Sequence, residues 1–246
     1  MKMMVTAWYM DAGTWAPTPE VWSTLLAYLP PGEREKVERF RFAKDQKFAL
    51  VSRLLQRHVV HTAFKTPFDA IHLERTPHGK PFWPACPSPT WNYNVSHQGS
   101  LVAIASAENV RIGVDVVCVT DKPSHVTTES FLATFTTFFG PREWAQIHAS
   151  VDPLRCFFHL WSLKEAYVKA LGVGVGFDLL RAQFDCTNVD ATTLFVDDVA
   201  SRTWQFSTTA LDATHIATIA LEVPVDQPRA SIVWQQLPIS ALLRST

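Results

Sequence analysis

The stretch from Phe157 to Gly176, FFHLWSLKEAYVKALGVGVG, constrains the fold more than any other part of the chain. Apolar residues recur along it at the spacing of a helix with one buried face: Leu160, Leu163, Tyr167, Ala170 and Leu171. Glycines at positions 172, 174 and 176 then end the helix and open a flexible loop. The sequence therefore predicts a half-buried helix that runs directly into a glycine-rich loop.

A second row of side chains follows the same helix at four-residue spacing. Trp161, Glu165 and Lys169 place an aromatic ring, an acid and a base on one face. Taken alone, this row is typical of a solvated Glu–Lys pair beside a half-buried Trp, because charged helix faces are most often simply solvated. The glycine-rich loop and the polar residues found upstream favour a functional role.

Composition limits the kind of ligand. The 246 residues suffice for one large domain or two small lobes, and a hydrophobic content of 47% indicates a globular protein. The formal net charge of −1 argues against a general nucleic-acid binder. Residues 33–57 nevertheless hold eight Lys or Arg against four Asp or Glu. A basic segment in a neutral protein predicts a compact anionic ligand.

The cysteines and the start of the chain bear on location. Cys86, Cys118, Cys156 and Cys186 lie far apart without metal or CxxC spacing, which predicts reduced thiols in a reducing compartment. The first fifteen residues lack a long apolar run, and no stretch reaches transmembrane length. A cytoplasmic protein without a membrane segment is therefore expected.

Periodicity and turn residues predict the other elements. We expect a buried strand over residues 3–10, helices over 18–29, 33–42 and 44–64, and strands over 101–105 and 110–119. Residues 94–99 are interpreted as a polar turn, 129–139 and 141–149 as helices, and 182–237 as short β patches. The 44–64 helix is expected to carry a basic face apart from its core face: Lys47, Arg53, Arg57 and His61. Two long helices, each followed by strands, suggest two related lobes, although the similarity is too thin to demonstrate a repeat.

Asp115 lies in the middle of the strand VRIGVDVVCV. Aspartate is a poor strand former, and an unpaired buried carboxylate is costly, so this side chain needs a partner. One interpretation is structural: a salt bridge to Arg111, or a strand end that lies nearer the solvent. The other is a magnesium ligand, with Glu165 as the second carboxylate, because Mg²⁺ prefers oxygen ligands and takes one or two carboxylates.

Two further segments carry polar residues. His97 follows Asn94-Val95-Ser96, where a structural and a functional role are equally compatible with the local sequence. Arg75, His78 and Lys80 surround the turn at Gly79, which would let basic side chains and backbone N–H groups approach a phosphate. An ordinary solvated hairpin is the alternative.

Together these segments resemble the 4'-phosphopantetheinyl transferases. HGKP at 78–81, NVSHQG at 94–99, IGVDVV at 112–117 and FHLWSLKEAYVKALGVGVGF at 158–177 occur in the order and rough spacing of that family. The most specific pair is W-x-x-K-E-x-x-x-K, from Trp161 to Lys169, with G-x-D ending at Asp115. The matched region covers about residues 31–184. It is most similar to the long, pseudodimeric class, and within that class to the eukaryotic L-aminoadipate-semialdehyde dehydrogenase phosphopantetheinyl transferases.

The resemblance implies a reaction. The 4'-phosphopantetheine arm of coenzyme A passes to a serine hydroxyl of an apo acyl or peptidyl carrier protein, and adenosine 3',5'-bisphosphate leaves. Mg²⁺, with Mn²⁺ as an alternative, would be held by Asp115 and Glu165. Glu165 would act as the base and Lys169 would neutralise phosphate charge. The positions that the resemblance assigns to coenzyme A are Lys36, Arg75, His78, Gly79, Lys80, Asn94, Ser96, His97 and Lys169. Among them, Lys36, Arg75 and His97 are expected to read the 3'-phosphate.

The implied fold is α+β, with two similar lobes, each a helix packed on a small antiparallel sheet, and the active site in the cleft between them. The expected division is residues 1–109 with the coenzyme A phosphate contacts and 110–246 with the metal site. A monomer is expected. The carriers, including those of fatty acid biosynthesis, are not specified by the sequence.

Two other functions remain open. A non-catalytic module that binds coenzyme A or a carrier protein would keep the basic residues but could dispense with Glu165 or Lys169. A nucleotide pyrophosphohydrolase would need a cluster of acids, which the sequence lacks. Val117 stands where many bacterial members of the family have an acid. Because residues two apart on a strand share a face, we expect Val117 to face the metal beside a water, with only Asp115 and Glu165 as protein ligands.

Overall fold

The structure is a computed structural model that describes residues 3–188 and 191–244. The α-helices are α1 Pro19–Ala27, α2 Pro31–Glu38, α3 Ala43–Phe64, α4 Thr128–Ala133, α5 Pro141–Ala149 and α6 Pro153–Leu171. The strands of the first half are β1 Val5–Asp11, β2 Glu74–Arg75, β3 Pro81–Phe82, β4 Trp91–Gln98, β5 Leu101–Glu108 and β6 Ile112–Cys118. Those of the second half are β7 Ala182–Asp185, β8 Thr193–Val196, β9 Val199–Ala200, β10 Trp204–Ala210, β11 His215–Glu222 and β12 Gln235–Gln236. Among residues 3–188 and 191–244, none of the helices combines the length and the apolar character that spanning a membrane requires.

Two sheets of the same connectivity form the two lobes. In the first, β5 pairs in antiparallel fashion with β1 on one side and β4 on the other, and α3 lies between β1 and β4 in the chain. In the second, β11 pairs in the same way with β6 and β10, and α6 lies between β6 and β10 in the chain. The predicted fold class, α+β with two similar lobes, is therefore confirmed.

Strand alternation divides the core into three parts. Along β5, Val102 and Ile104 pack against α3 in the first lobe, while Ala103 and Ala105 face the other sheet. Along β6, Val114 and Val116 meet those alanines between the lobes. Small side chains at this junction let the two sheets approach face to face.

The other face of β6 lies against α6. Gly113 is required there, because a Cβ on it would lie 2.0 Å from the carbonyl oxygen of Ala166 and 2.4 Å from the amide nitrogen of Ala170. This close approach explains the glycine of the G-x-D motif, since it brings Asp115 within reach of side chains on α6.

Several predicted elements are confirmed, and several need correction. The strand near the N-terminus, the helix capped by Thr18 and the 44–64 helix occur as β1, α1 and α3. Residues 94–99 do not form a polar turn, because β4 extends through Gln98. The helix expected over 129–139 ends at Ala133. The division at 109/110 stays a prediction, but the C-terminal segment returns to the first lobe: β12 pairs with β1, and Leu242 packs in its core.

The prediction that α3 carries a basic face is wrong. Arg57 is fully buried and donates two hydrogen bonds to Glu33, at 2.8 and 3.1 Å. Arg53 also lies beside Glu33, and Lys47 donates to the carbonyls of Gly13 and Trp15. Much of the positive charge in residues 33–57 is therefore used inside the protein, where buried charges need partners.

Candidate active site

A cavity of about 570 Å³ lies between the two lobes. The first lobe contributes residues of the β2–β3 hairpin and of β4, and the second contributes α6 and the loop after it. Seven residues predicted for the site line this cavity: Arg75, His78, Gly79, Lys80, Asn94, Glu165 and Lys169. Five apolar residues also line the cavity: Phe138, Trp161, Val168, Phe177 and Leu179.

Asp115 is held at the edge of this cavity by α6. Its Oδ1 accepts from Lys169 Nζ at 2.5 Å and from Ser96 Oγ at 3.0 Å. Its Oδ2 is buried and has no hydrogen-bond partner. The alternative salt bridge to Arg111 does not form, because Arg111 pairs with Glu222 at 3.3 Å. Asp115 therefore keeps one oxygen unsatisfied beside the cleft.

Glu165 lies one helical turn before Lys169 and carries a perturbed carboxyl. Burial raises its pKa, the Asp115 charge raises it further, and the Lys169 charge opposes both. A carboxylate whose charge is disfavoured by burial and by a second carboxylate is a suitable environment for a divalent cation, which would relieve the repulsion.

The donor set fits magnesium better than a softer metal. Within the described ranges, no group of three or more His, Cys, Asp or Glu side chains could hold a metal ion. Two carboxylates with the remaining positions left to water and phosphate oxygens match the preference of Mg²⁺. The unpartnered Oδ2 of Asp115 is the atom that most needs such a cation.

Val117 shares the face of Asp115, as strand alternation requires. It is only 2% exposed and belongs to the core cluster under α6 that includes Phe158 and Leu163. That Val117 faces the metal stays a prediction.

The β2–β3 hairpin carries the basic residues of the first lobe. Gly79 adopts φ +87°, a left-handed conformation that closes the turn through hydrogen bonds from Gly79 N to Thr76 O and from Thr76 N to Lys80 O. The Arg75 guanidinium donates to Gly79 O at 2.7 Å. His78 packs against Gly174 of the loop after α6, so the hairpin and the glycine-rich loop meet.

Lys80 reaches across to the second lobe. Its ammonium donates to the carbonyls of Ile112 and Ala170, each at 3.1 Å. Burial lowers its pKa to about 8, and the charge of Arg111 lowers it as well. Lys80 thus joins the hairpin to β6 and to the C-terminal end of α6.

A row of polar side chains on β4 meets the free edge of β6. Asn92, Asn94, Ser96 and Gln98 point to one side of β4 and accept hydrogen bonds from alternate backbone N–H groups of β6. The donors are Ile112, Val114, Val116 and Cys118, at 2.9 to 3.3 Å. These side chains do for β6 what a neighbouring strand would do, which explains why a polar sequence forms a strand here.

His97 points away from that row, toward α3. Its ring stacks on Phe48 with centroids 6.0 Å apart, and the residue is exposed. Partial burial and the charge of Lys169 lower its pKa, whereas the Asp45 charge raises it. His97 is therefore near Lys169 without lining the cavity itself.

The remaining predicted residues are placed differently. Asp115 and Ser96 do not line the cavity, but both contact Lys169, which does. Lys36 is exposed on α2 and is not among the lining residues. A larger cavity of about 1000 Å³ occurs in the second lobe, but none of the predicted residues lines it.

Lys164 has a role that the sequence interpretation missed. It is fully buried, pairs with the fully buried Glu143 at 2.9 Å, and also donates to the carbonyls of Leu179 and Ala182. It therefore fastens the loop after α6, which carries Phe177 and Leu179 of the cavity wall. The signal in the sequence for this buried role was that Lys164 lies on the helix face that also carries the apolar residues Leu160, Leu163 and Tyr167.

Comparison with known proteins identifies the class. Residues 13–109 match the family model described as 4'-phosphopantetheinyl transferase, N-terminal, and residues 111–220 match the 4'-phosphopantetheinyl transferase superfamily. The two matches correspond to the two lobes, with the cavity between them. The chain belongs to the 4'-phosphopantetheinyl transferase family and is a transferase.

Individual relatives match over most of their length. The L-aminoadipate-semialdehyde dehydrogenase-phosphopantetheinyl transferase of Rattus norvegicus is 31% identical over 242 residues, covering 93% of this chain and 78% of the relative. The protein of the same name from Xenopus laevis is 35% identical over 228 residues, covering 87% and 75%. A phosphopantetheinyl transferase of Thraustochytrium sp. is 34% identical over 244 residues, covering 95% and 84%.

Proposed function

We propose that this protein transfers the 4'-phosphopantetheine arm of coenzyme A to a serine hydroxyl of an apo carrier protein, in a Mg²⁺-dependent reaction that releases adenosine 3',5'-bisphosphate. The observation that carries the proposal is the cavity itself. It brings a half-buried acid, Glu165, and a cation, Lys169, together with the basic β2–β3 hairpin. That arrangement suits a substrate with a pyrophosphate and a third phosphate.

The reaction is a phosphoryl transfer. The serine oxygen forms a bond to the β-phosphorus, and the bond from that phosphorus to the bridging oxygen breaks. The bridging oxygen leaves with the electron pair as part of adenosine 3',5'-bisphosphate. The serine proton passes to a base. The protein needs mainly to position the groups and to balance charge.

Glu165 is the proposed base, either directly or through a water. Burial and the Asp115 charge raise its pKa, which makes it a better proton acceptor than an exposed glutamate. Lys169, one turn further along α6, would neutralise charge on the transferring or leaving phosphate. Bound Mg²⁺, held by Asp115 and Glu165, would supply further charge neutralisation at the pyrophosphate.

The β2–β3 hairpin is proposed to hold the nucleotide end of coenzyme A. Arg75, His78 and Lys80 present positive or polar groups to the cavity, and the left-handed Gly79 shapes the turn between them. Asn94 lines the same side. His97 and Lys36 are proposed to contribute to the 3'-phosphate from outside the lining residues.

The carrier substrate is the least specified part of the proposal. Relatives such as that of Rattus norvegicus are named for L-aminoadipate-semialdehyde dehydrogenase. A carrier domain of that kind is therefore the first candidate, and fatty acid, polyketide and peptide synthesis carriers follow.

The decisive experiment incubates the purified chain with coenzyme A, Mg²⁺ and a panel of apo carrier proteins. Intact-mass spectrometry should show a carrier gaining one phosphopantetheine group, and chromatography should show one adenosine 3',5'-bisphosphate per event. A carrier whose acceptor serine is replaced by alanine is the control. Coenzyme A binding without transfer would support a binding module instead, and coenzyme A cleavage without a carrier would support a hydrolase.

Two further proposals concern the state of the protein in the cell. Both walls of the cavity come from one chain, which supports a monomer as the working unit. All four cysteines are free thiols, which supports a cytoplasmic location. Light scattering of the purified chain and microscopy of a tagged copy test these two points.

A further inference from the structure

The equivalent hairpins of the two lobes meet near their turns. β4 and β5 turn at Gly99 and Ser100 in the first lobe, and β10 and β11 turn at residues 211–214 in the second. His215, the first residue of β11, lies against the turn of the first lobe: it is only 4% exposed, and a Cβ on Gly99 would lie 2.2 Å from its Nε2. The glycine that ends NVSHQG is therefore required because this ring occupies the space beside it.

The hydrogen bonds of His215 assign its two ring nitrogens. Nδ1 lies 3.0 and 2.9 Å from the two oxygens of the Asp212 carboxylate. Burial raises the pKa of the Asp212 carboxyl, but hydrogen bonds from Thr214 and His215 outweigh burial and lower it, so the ionised group can only accept at neutral pH. Nδ1 is therefore the N–H donor, and Nε2 keeps the lone pair. That lone pair accepts from the backbone N–H of Ser100 at 3.3 Å.

Ser100 is consequently held from both lobes. Its carbonyl accepts from the N–H groups of Ala12 and Gly13 in the first lobe, at 2.9 and 3.1 Å, while its own N–H donates to His215 in the second. His97 is the last residue but one of β4 and lies directly before this turn. Loops and strand ends are the parts of a fold that open most easily, so the placement of His97 depends on how firmly the turn is held.

We propose that His215, oriented by Asp212, is a positioning residue: it holds the β4–β5 turn from the opposite lobe and thereby places His97 to read the 3'-phosphate of coenzyme A. His215 is not among the residues that line the cavity, so it acts through His97 rather than on the substrate. This inference rests on the proposed function, because it takes over the assignment of the 3'-phosphate to His97. It gives the second lobe, which carries the proposed metal ligands, a part in recognition of the nucleotide as well.

The test compares His215→Phe, His215→Gln and Gln205→Met by calorimetric titration with coenzyme A and with dephospho-coenzyme A. His215→Phe keeps a flat ring but removes the acceptor for the Ser100 N–H, whereas the side-chain oxygen introduced by His215→Gln can replace that acceptor. Gln205→Met is the control. It removes two buried hydrogen bonds to the backbone of Ala230, at 2.8 Å each, near the start of β10 and away from the turn.

His215→Phe should lower the preference for coenzyme A over dephospho-coenzyme A by about three- to tenfold, at most the loss expected for one charge-assisted contact. The affinity for dephospho-coenzyme A should stay within about twofold of wild type, because the 3'-phosphate is absent from that ligand. His215→Gln should recover most of the preference, and Gln205→Met should lose thermal stability but keep the full preference. In a His97→Ala background, His215→Phe should change the preference by less than about twofold, because the two residues act as a unit.

Three results would overturn the inference. An unchanged preference in His215→Phe, with stability lost as in Gln205→Met, would mean that the histidine only supports the fold. A loss of preference as large in the His97→Ala background as in the wild type would mean that His215 does not act through His97. Nitrogen NMR that places the proton of the neutral ring on Nε2 would contradict the hydrogen bond from Ser100. If His215→Phe does not fold, Asp212→Asn replaces it, because the amide removes the charge that orients the ring. A smaller loss of preference is then expected, and an unchanged preference again counts against the inference.

The wild-type protein separates this inference from the proposed function. The titrations need no carrier, so if the wild type prefers coenzyme A but transfers nothing, the proposed function fails and the variants still decide the role of His215. If it transfers the arm but shows no preference for coenzyme A over dephospho-coenzyme A, the proposed function stands and the inference fails. If it neither binds coenzyme A nor transfers the arm, both fail.

Discussion

Lys164 and Lys169 leave the same helix, α6, five residues apart, and each reaches a carboxylate from a different element. The Lys164–Glu143 pair is completely closed, with both side chains 0% exposed and an N–O distance of 2.9 Å. The Lys169–Asp115 pair lies at the cavity, with the lysine side chain 29% exposed and an N–O distance of 2.5 Å. The two pairs share their chemistry but not their surroundings.

The closed pair is satisfied on every side. Lys164 also donates to two carbonyls, and Glu143 also accepts from the backbone N–H groups of Gly140 and Phe184. Burial raises the pKa of Glu143 and lowers that of Lys164, and each partner opposes the shift of the other. Such a pair holds α5, α6 and the following loop together and has no capacity left for a ligand.

The open pair is left incomplete. Asp115 Oδ2 has no partner, and Glu165 nearby carries a charge that burial disfavours. A folded protein usually satisfies its buried polar atoms, so an exception beside a cavity indicates a site that a ligand completes. An ion pair therefore indicates a ligand site when it leaves a polar atom unsatisfied beside a cavity, and not by its presence alone.

The largest expected effect is on transfer. Glu165→Gln should lower kcat by about a hundred- to ten-thousandfold, the range for a lost general base. In metal-free buffer the same variant should unfold at an equal or higher temperature. The carboxyl pKa is raised in the folded state, so its charge opposes folding at neutral pH and the amide removes that opposition. Near-normal transfer at saturating Mg²⁺ would contradict the assigned role.

The main effect of Lys164→Met should be a loss of stability rather than a loss of transfer. It leaves Glu143 buried without its cation, which costs about 3–5 kcal/mol of unfolding free energy. Urea denaturation of Lys164→Met, Glu143→Gln and the double variant measures the coupling. The double variant should recover part of the loss. If Lys164→Met lost less than about 1 kcal/mol, the closed pair would not be holding the fold as inferred.

How much of this comparison the sequence could predict depends on the residue. Glu165 and Lys169 share a face by helical spacing, and Asp115 in an apolar strand requires a partner, but the sequence suggested Arg111 or Mg²⁺ as that partner rather than Lys169. Glu143 lies more than twenty positions before Lys164, in another helix, and nothing local links them. Pairings of that kind depend on how α5 packs against α6, which periodicity does not determine.

The same limit applies to strands and to charged faces. The segment 94–99 looks like a turn because its residues are polar, and only the free edge of β6 explains why they form a strand. Arg57 looks solvent-exposed in a basic segment, yet Glu33 draws it into the interior. The burial of Val117 similarly follows from the position of α6 rather than from strand alternation. In each case a tertiary contact overrides the local pattern.

The third prediction concerns the basic side chains that are proposed to bind the phosphates of coenzyme A. Arg75→Ala should weaken coenzyme A binding by about ten- to a hundredfold, the range for one charge-assisted contact. His97→Ala and Lys36→Ala are expected to have smaller effects, because both residues are exposed and lie outside the cavity lining. Calorimetric titration with coenzyme A and with dephospho-coenzyme A measures the preference. Arg202→Ala, an exposed charge in the second lobe, is the control. Variants that keep the full wild-type preference for coenzyme A would show that these residues do not read the 3'-phosphate.

The smallest expected effect sharpens the comparison with a third lysine, Lys80, which is half-buried and whose two acceptors are both neutral. Lys80 donates to two backbone carbonyls, and burial lowers its pKa to about 8. Between pH 8 and the ordinary lysine pKa, the unfolded chain binds a proton that the folded chain has released, so stability should rise with pH across this window. The rise should be about 1 kcal/mol, since partial exposure of the side chain reduces the effect of burial. Subtracting the pH profile of Lys80→Met removes the contribution of other titrating groups. A difference profile that is flat from pH 8 to 10 would mean that the two carbonyls satisfy the ammonium as fully as Glu143 satisfies Lys164.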